Sequence, residues 1–261
     1  PETEGNPQCR FGITSRFTPG DAVRIDAITD DGQYHAWTEI NVPQRPFEIE
    51  NVDTVTVPLA QSGYTTEYLR YRITINDRPN ETNYYRIVID KQTTLWGYNH
   101  EEGGDDYIYW TKHSYNFIGR EDVVLTDGQP TTGDDEDNGL FDTAKNIYGV
   151  FDDTRFRNTS YTMTVYNNTK IETGSDSGYF SGMDVIIRLM SITETEYYYL
   201  KALNLVDSDA YDETINEPIK YPSNVHGGTG MVGISTEVTQ TIHIISSSHS
   251  KGNLAPPVHV Y

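Results

Sequence analysis

The sequence predicts a mostly β protein with one short α-helix near residues 194–206. The 261-residue chain contains 20 Tyr but only 4 Met, and aromatic residues make up 12% of it. Tyr and other aromatic side chains fit the pleated, half-buried surface of a sheet better than they fit a helix bundle. Short runs in which apolar and polar residues alternate recur along the chain, as expected for strands with one buried face.

The first two predicted strands form a hairpin. In residues 21–28, apolar side chains alternate with Arg24 and Asp26. The turn Asp30-Asp31-Gly32 then leads into a second alternating run at residues 33–42. An Asp-Gly turn between two such runs is a strong hairpin signal.

A linker and domain boundary are predicted at residues 43–53. Pro43 and Pro46 interrupt the alternating pattern there, and proline cannot donate a ladder hydrogen bond. The boundary separates a small N-terminal part, residues 1–46, from a larger β-rich domain at residues 47–261.

The larger domain is predicted to contain several further strands. Runs rich in β-branched and aromatic residues occupy residues 69–75, 84–89, 107–110, 147–151, 161–166, 183–190 and 238–245. The first two of these runs are predicted to pair as a hairpin around the turn at residues 76–80. The turn at residues 174–178 is likewise predicted to join two strands as a hairpin.

One helix is predicted to begin after Thr193. A Thr at the N-cap, followed by Glu194 and Glu196 in the first turn, favours a helix start because both satisfy or complement the free backbone N–H groups. Leu200 and Leu203 then fall on one face of the helix.

Residues 97–149 are predicted as an acidic loop insertion with short strands inside it. The candidate calcium ligands Asp134, Glu136 and Asn138 lie there, since calcium takes several oxygen ligands from one flexible loop. In an EF-hand alignment, however, Lys145 occupies the position that requires a bidentate Glu. A solvated acidic loop is therefore the preferred interpretation, and no other cofactor is expected.

The charge, the cysteine content and the hydropathy of the chain exclude several kinds of partner and structural feature. The formal net charge is -20, which argues against nucleic acid as a partner because that affinity comes from Lys and Arg. Because Cys9 is the only cysteine in the sequence, the chain cannot form an internal disulfide. No window approaches the roughly 18 consecutive apolar residues of a membrane-spanning helix.

No catalytic residues are predicted. Ser175-Asp176-Ser177-Gly178 is similar to part of the nucleophile turn of trypsin-like proteases, but Tyr179 stands where a glycine should follow. His226-Gly227-Gly228 is similar to an esterase oxyanion loop, but no Gly-x-Ser-x-Gly elbow accompanies it. A carboxylate pair for glycoside hydrolysis stays open, because its separation of about 5 to 10 Å depends on the fold.

Five aromatic residues are the candidate ligand-binding residues: Trp96, Tyr98, Tyr107, Tyr109 and Trp110. Aromatic rings near loops can stack against a sugar or another flat ligand. The alternative is that they are ordinary core aromatics of a β-sandwich.

Several stretches occur in an order typical of one family. They are Pro19-Gly20-Asp21-Ala22-Val23, Asn83-Tyr84-Tyr85-Arg86-Ile87, Glu196-Tyr197-Tyr198-Tyr199-Leu200-Lys201-Ala202-Leu203, Glu217-Pro218 and Ser223-Asn224-Val225-His226-Gly227-Gly228-Thr229-Gly230. Together they resemble a domain-of-unknown-function family of Bacteroides-type outer-membrane lipoproteins, encoded beside SusC-like TonB-dependent transporters. The resemblance runs from about Pro19 to Gly233.

The resemblance implies immunoglobulin-like or fibronectin-like β-sandwich parts, with residues 1–46 as the remnant of an N-terminal sandwich. It also implies an extracytoplasmic location at the outer-membrane surface, through a lipid anchor outside this chain; Cys9 lacks the preceding apolar run of a lipobox. Surface proteins of such organisms can be O-glycosylated at Asp-Ser/Thr motifs, which makes Thr54 and Thr143 candidate acceptors.

The function expected from the resemblance is that of a non-catalytic accessory or ligand-binding component of a TonB-dependent nutrient uptake system. Its expected partners are a SusC-like transporter and a small nutrient, glycan or peptide. An adhesin-like structural surface protein is the first alternative, and a secreted glycosidase or peptidase is the second.

Overall fold

A computed structural model describes residues 14–61, 64–98, 107–128, 146–169, 179–207 and 218–244. Within these ranges the chain forms ten strands and one helix, which confirms the prediction of a mostly β protein with a single helix. Their bounds are Ala22–Ile28 (β1), His35–Asn41 (β2), Asn51–Gln61 (β3), Tyr64–Asn76 (β4), Tyr84–Tyr98 (β5), Tyr107–Ser114 (β6), Val150–Asp152 (β7), Ser160–Asn168 (β8), Tyr179–Ser191 (β9), Glu194–Val206 (α1) and Thr236–Ile244 (β10).

Two antiparallel sheets make a sandwich. One sheet has the order β3-β4-β8, and the other has the order β10-β9-β5-β6 with β7 paired to one end of β5. A single apolar core lies between them, because each strand turns alternate side chains toward the other sheet. Its most deeply buried members include Tyr71, Ile73, Ile75, Ile87, Ile89, Met163, Val165, Val185, Ile187 and Leu189.

Strand β5 is the centre of the larger sheet. It pairs with β9, β6 and β7. Its side chains at Tyr85, Ile87, Ile89 and Leu95 point into the sandwich and are almost fully buried. Lys91 and Thr93 share this buried side, so the even-numbered residues from Arg86 to Trp96 lie on the outer face of the sheet.

The hairpin predicted from residues 69–75 and 84–89 is wrong, because β4 and β5 belong to different sheets. Both edges of β4 are already occupied, by β3 and by β8. The chain instead crosses from one layer to the other, and Asn83 Nδ2 donates to Asp77 Oδ1 at 3.2 Å within that crossing. A propensity pattern finds strands, but it does not say which strands pair.

The hairpin predicted around residues 174–178 is wrong for the same reason. Strand β8 pairs with β4, whereas β9 pairs with β5 and β10. The turn residues themselves lie outside the described ranges.

Residues 97–149, predicted as an acidic loop insertion with short strands inside it, also contribute to the core between their two acidic stretches. Strand β6 extends the larger sheet, and Val124 and Leu125 are each 3% exposed in the main core. An apolar run between the acidic stretches explains this burial. The candidate calcium ligands and Thr143 lie outside the described residues, so those predictions remain predictions.

The N-terminal hairpin is confirmed, with β1 and β2 in antiparallel register. Trp37 on β2 and His226 exchange two backbone hydrogen bonds of 2.9 and 2.8 Å, and their rings stack 4.1 Å apart. These contacts attach the hairpin to the segment before β10. Strand β3 begins at Asn51, inside the stretch predicted as a linker.

Helix α1 begins as predicted. The Thr193 hydroxyl accepts a hydrogen bond from the Glu196 N–H at 3.2 Å. Tyr197 and Leu200 pack into a second cluster with Val150, and partly buried Met190 lines the same cluster. The helix thus packs at the β7 end of the larger sheet, and no helix of the described ranges is long and apolar enough to cross a bilayer.

Candidate functional site

The outer face of the larger sheet has a second end that α1 does not cover. It is formed by the last part of β5 and the adjoining parts of β6, β9 and β10. We call this surface the open face. Its side chains come from Gln92, Thr94, Trp96, Tyr109, Thr111, His113, Asp184 and His243, with Gly182 among them.

Two of the predicted ligand-binding aromatics lie together on the open face. Trp96 and Tyr109 are directly opposite each other in the β5/β6 register. The Tyr109 side chain is 56% exposed, and Trp96 is half-buried. Such a cross-strand pair presents aromatic surface beside solvent-exposed polar groups.

The other three predicted aromatics are placed differently. Trp110 is opposite the buried Leu95, and its ring carbon Cη2 would lie 3.2 Å from a Cβ added at Gly97. It therefore belongs to the core-facing side of the sheet. Tyr98 and Tyr107 are paired in backbone register at the end of the same hairpin.

A row of polar residues crosses four strands of the open face. His243 is opposite Asp184, Asp184 is opposite Gln92, and Gln92 is opposite His113. His243 Nδ1 lies 2.7 Å from Asp184 Oδ1. Because a carboxylate accepts but does not donate, His243 carries its proton on Nδ1 in this contact.

At the other end of the row, Gln92 and His113 both contact the deeply buried carboxylate of Asp90. Asp90 is 1% exposed, and His113 Nδ1 lies 3.0 and 3.1 Å from its two oxygens. Gln92 Nε2 donates to Asp90 Oδ2 at 2.8 Å. The His113 ring also stacks with Tyr115 at 6.1 Å, so its orientation is held from two sides.

Gly182 leaves a gap in the side chains of the open face. It is opposite Thr94 on β5, and a Cβ placed on it meets no atom of the described residues within 4 Å. Its φ lies outside the left-handed range, so the backbone accepts other residues there without strain. On the outer face, the Gly182 position lies between Asp184 on one side and the Trp96–Tyr109 pair on the other, so it has one polar side and one aromatic side.

A separate cavity of about 530 Å³ lies beside α1 and is lined by Val124, Asp127, Asp152, Thr154 and Arg155. The Tyr197 hydroxyl donates to Asp152 Oδ2 at 3.1 Å, and the Thr154 N–H donates to Oδ1 at 2.9 Å. Burial raises the pKa of Asp152, but these hydrogen bonds and the nearby Lys201 outweigh it, so the pKa is lower than usual.

The remaining charged groups of the cavity are already paired. Lys201 forms a salt bridge with Asp127, and Arg155 donates to the Asp127 carbonyl oxygen. A ligand entering the cavity would have to compete with these contacts. Among the described residues, no side chain competes for the space at Gly182, so the open face is the better candidate site.

Sequence patterns missed most of the open face. The run predicted at residues 84–89 stops before Gln92, although Thr93-Thr94-Leu95-Trp96 continues with β-prone residues. Asp184 and His243 lie on strands that were predicted, but their proximity to Gln92 depends on pairing. Only the aromatic side of the site was visible in the sequence.

Two further predictions concern modification and metal. Thr54 lies on β3 and is exposed, and its O-glycosylation stays a prediction. Among the residues that the structure describes, no group of three or more His, Cys, Asp or Glu side chains is placed to hold a metal ion.

Comparison with known proteins places the chain in a family. A search of curated proteins finds no match. The model of a family described as a domain of unknown function, DUF4249, matches residues 2–241. Because this match covers nearly the whole sequence, the chain belongs to the DUF4249 family.

Proposed function

We propose that this protein is a non-catalytic, surface-exposed component of an outer-membrane nutrient uptake system, which binds a neutral, sugar-containing ligand on the open face. In this proposal it passes the ligand to a SusC-like TonB-dependent transporter. The observation that carries the proposal is the exposed Tyr109 and half-buried Trp96, with the Gly182 gap between this pair and the polar row.

The chemistry of the open face suits a sugar. A pyranose ring has apolar C–H faces, which pack against aromatic rings, and hydroxyl groups around its edge, which need hydrogen-bond partners. Gln92, Asp184 and His243 supply amide, carboxylate and imidazole groups on the other side of Gly182 from the aromatic pair, since Thr94, opposite Gly182, lies between Gln92 and Trp96 on β5. Because Gln92 and His243 are already held by hydrogen bonds to Asp90 and Asp184, little side-chain entropy is lost on binding.

The charge of the protein favours a neutral ligand. A chain with a formal net charge of -20 repels anions over a distance of about 8 Å at physiological salt. Sulfated, phosphorylated or uronic-acid-rich glycans would therefore bind less well than neutral ones. Each Asp–His pair of the open face contains a carboxylate, so these pairs carry no net positive charge that would reverse this effect.

The surface location and the transporter partner are supported by the resemblance to Bacteroides-type lipoproteins encoded beside SusC-like transporters. The motifs that carry it include Asn83-Tyr84-Tyr85-Arg86-Ile87, which starts β5, and Glu196 to Leu203, which lies within α1. These segments build the end of the sheet opposite the open face. The transporter is therefore proposed to dock away from the ligand.

Co-purification tests the transporter part of the proposal. The lipidated, full-length protein, extracted from its native outer membrane in mild detergent, is expected to bring a TonB-dependent transporter with it in a fixed ratio. Mass spectrometry identifies the co-purifying proteins, and an unrelated lipoprotein from the same membrane is the control. Isolation of the protein alone, with the transporter recovered separately, would contradict the accessory role.

A further inference from the structure

Strand β1 offers a free edge. Among the described residues it pairs with β2 alone, and β2 pairs on its other side with the bridge at His226. The hairpin contributes Ile25 and Ile28 to the surface, with exposed fractions of 41% and 64%. An exposed strand edge of this kind can take up a further strand.

The backbone groups that point outward from β1 can be identified from the hairpin's hydrogen bonds. Val42 N–H donates to the Asp21 carbonyl oxygen at 2.8 Å, and Thr29 N–H donates to the Tyr34 carbonyl oxygen at 3.1 Å. In an antiparallel ladder such hydrogen-bonded pairs occur at every second residue. Residues 21, 23, 25, 27 and 29 therefore bond inward to β2.

The remaining residues of β1 direct their N–H and C=O groups away from β2. They are Ala22, Arg24, Asp26 and Ile28. Trp37, which is opposite Asp26, confirms this alternation, because its own N–H and C=O bond to His226 on the far side of β2.

The sequence of β1 is complementary to itself when it is reversed around Ile25. In an antiparallel pair of β1 strands centred there, Arg24 is opposite the partner's Asp26, and Asp26 is opposite the partner's Arg24. Both are outward-bonding positions, so each pair forms two backbone hydrogen bonds. Ala22 and Ile28 pair in the same way at the ends of the strand.

We propose that the free edge of β1 binds β1 of a second copy of this chain, antiparallel and centred on Ile25, to form a four-stranded sheet across a two-fold axis. The interface is isologous, because the same residues face each other in both copies. This surface lies on a different part of the fold from the open face and does not depend on the proposed ligand.

The side chains suit this pairing as well as the backbone does. Arg24 Nε already lies 2.8 Å from Asp26 Oδ2 within one strand, and both side chains are partly exposed. In the dimer each also faces the opposite charge of the partner across the interface, while Asp26 Oδ1 stays within 2.8 Å of His35 Nε2 in its own hairpin. Ile25 meets the partner's Ile25 at a non-hydrogen-bonded position, where cross-strand side chains approach most closely.

Another edge of the fold is less suited to self-pairing. The outer edge of β3 contains Pro58, which has no N–H to donate to an added strand. The edge of β1 contains no proline. A pair of seven-residue strands makes a small interface, so we expect a weak dimer.

Analytical ultracentrifugation over about 1 μM to about 1 mM protein tests the proposal. The wild-type chain is expected to shift from monomer to dimer within this range. Arg24→Asp should weaken the association at least about tenfold, because two like-charge pairs replace two opposite-charge pairs. The double variant Arg24→Asp with Asp26→Arg restores opposite charges and should recover the dimer.

Lys220→Asp is the matched control, because it changes the net charge equally at an exposed position outside the hairpin. Circular dichroism and thermal melting verify that each variant is folded. A wild-type monomer at every concentration would overturn the proposal. So would a dimer that Arg24→Asp leaves intact, or one that the double variant fails to restore while folded.

Discussion

Replacing Asp122 with Ala is expected to lower the free energy of unfolding by about 3 to 5 kcal/mol. The Asp122 side chain is buried, with 3% of the residue exposed. Its Oδ1 accepts hydrogen bonds from the Val124 and Leu125 N–H groups at 3.0 and 3.1 Å. Its Oδ2 accepts from the Tyr161 hydroxyl at 3.0 Å and the Thr164 N–H at 2.8 Å.

The large effect follows from the donors that the substitution leaves behind. Each buried donor without a partner costs about 1 to 3 kcal/mol, and Asp122 serves four of them. Burial and the negative charge of Asp122 raise the pKa of Tyr161, so its hydroxyl stays protonated as a donor. The carboxylate thus ties the turn that carries Val124 and Leu125 to strand β8.

Urea unfolding of the wild type, Asp122→Ala and Asp122→Asn measures this contribution. The Asn variant keeps one acceptor oxygen, so its free energy of unfolding should lie between those of the wild type and Asp122→Ala. Val123→Ala, in the same turn but 44% exposed, is the control and should stay within about 0.5 kcal/mol of the wild type. An Asp122→Ala loss below about 1 kcal/mol would show that the turn is not held by this carboxylate.

Replacing Ile187 with Ala is expected to lower the free energy of unfolding by about 2 to 5 kcal/mol. Ile187 is 0% exposed at the centre of β9, and its neighbours across the strand pairs are Ile89 and Gln240. Its side chain lies in the core between the two sheets. Because strands on both sides fix the backbone, the sandwich cannot collapse to fill the cavity left behind.

The same unfolding measurement checks this prediction. Ile187→Val removes one methylene group and should cost about 0.5 to 1.5 kcal/mol. Ile147→Ala, at a position that is 49% exposed, is the control and should have little effect. Equal losses for Ile187→Ala and Ile147→Ala would contradict the assignment of Ile187 to the core.

Local chemistry made most of the individual elements predictable. The alternation of apolar residues with Arg24 and Asp26 predicted β1, and Thr193 with its following acidic residues predicted the start of α1. In both places the signal lies within a few residues of the element that it determines.

Strand pairing was not predictable in the same way. The turn between β4 and β5 contains Pro79 and Asn80, and such residues suit a hairpin as well as a crossing between sheets. The crossing is decided by β8, which pairs with β4 although about a hundred residues separate their sequences. Long-range pairing of this kind leaves no local signature.

The candidate site was likewise predictable only where the signal is local. Trp96 and Tyr109 were found as aromatic residues, but the polar row depends on four strands from distant parts of the chain. The importance of Gly182 is visible only in the structure, where its missing side chain leaves a gap opposite Thr94.

Calorimetric titration with neutral oligosaccharides, chosen from a glycan array, tests the open face most directly. Gly182→Ala should bind like the wild type, whereas Gly182→Phe fills the gap and should abolish binding without unfolding the protein. Tyr109→Ala should weaken binding about tenfold, whereas Tyr34→Ala, at a residue 72% exposed on the β1/β2 hairpin, should not. Binding that survives both Gly182→Phe and Tyr109→Ala, or release of shortened sugars during the titration, would contradict the account.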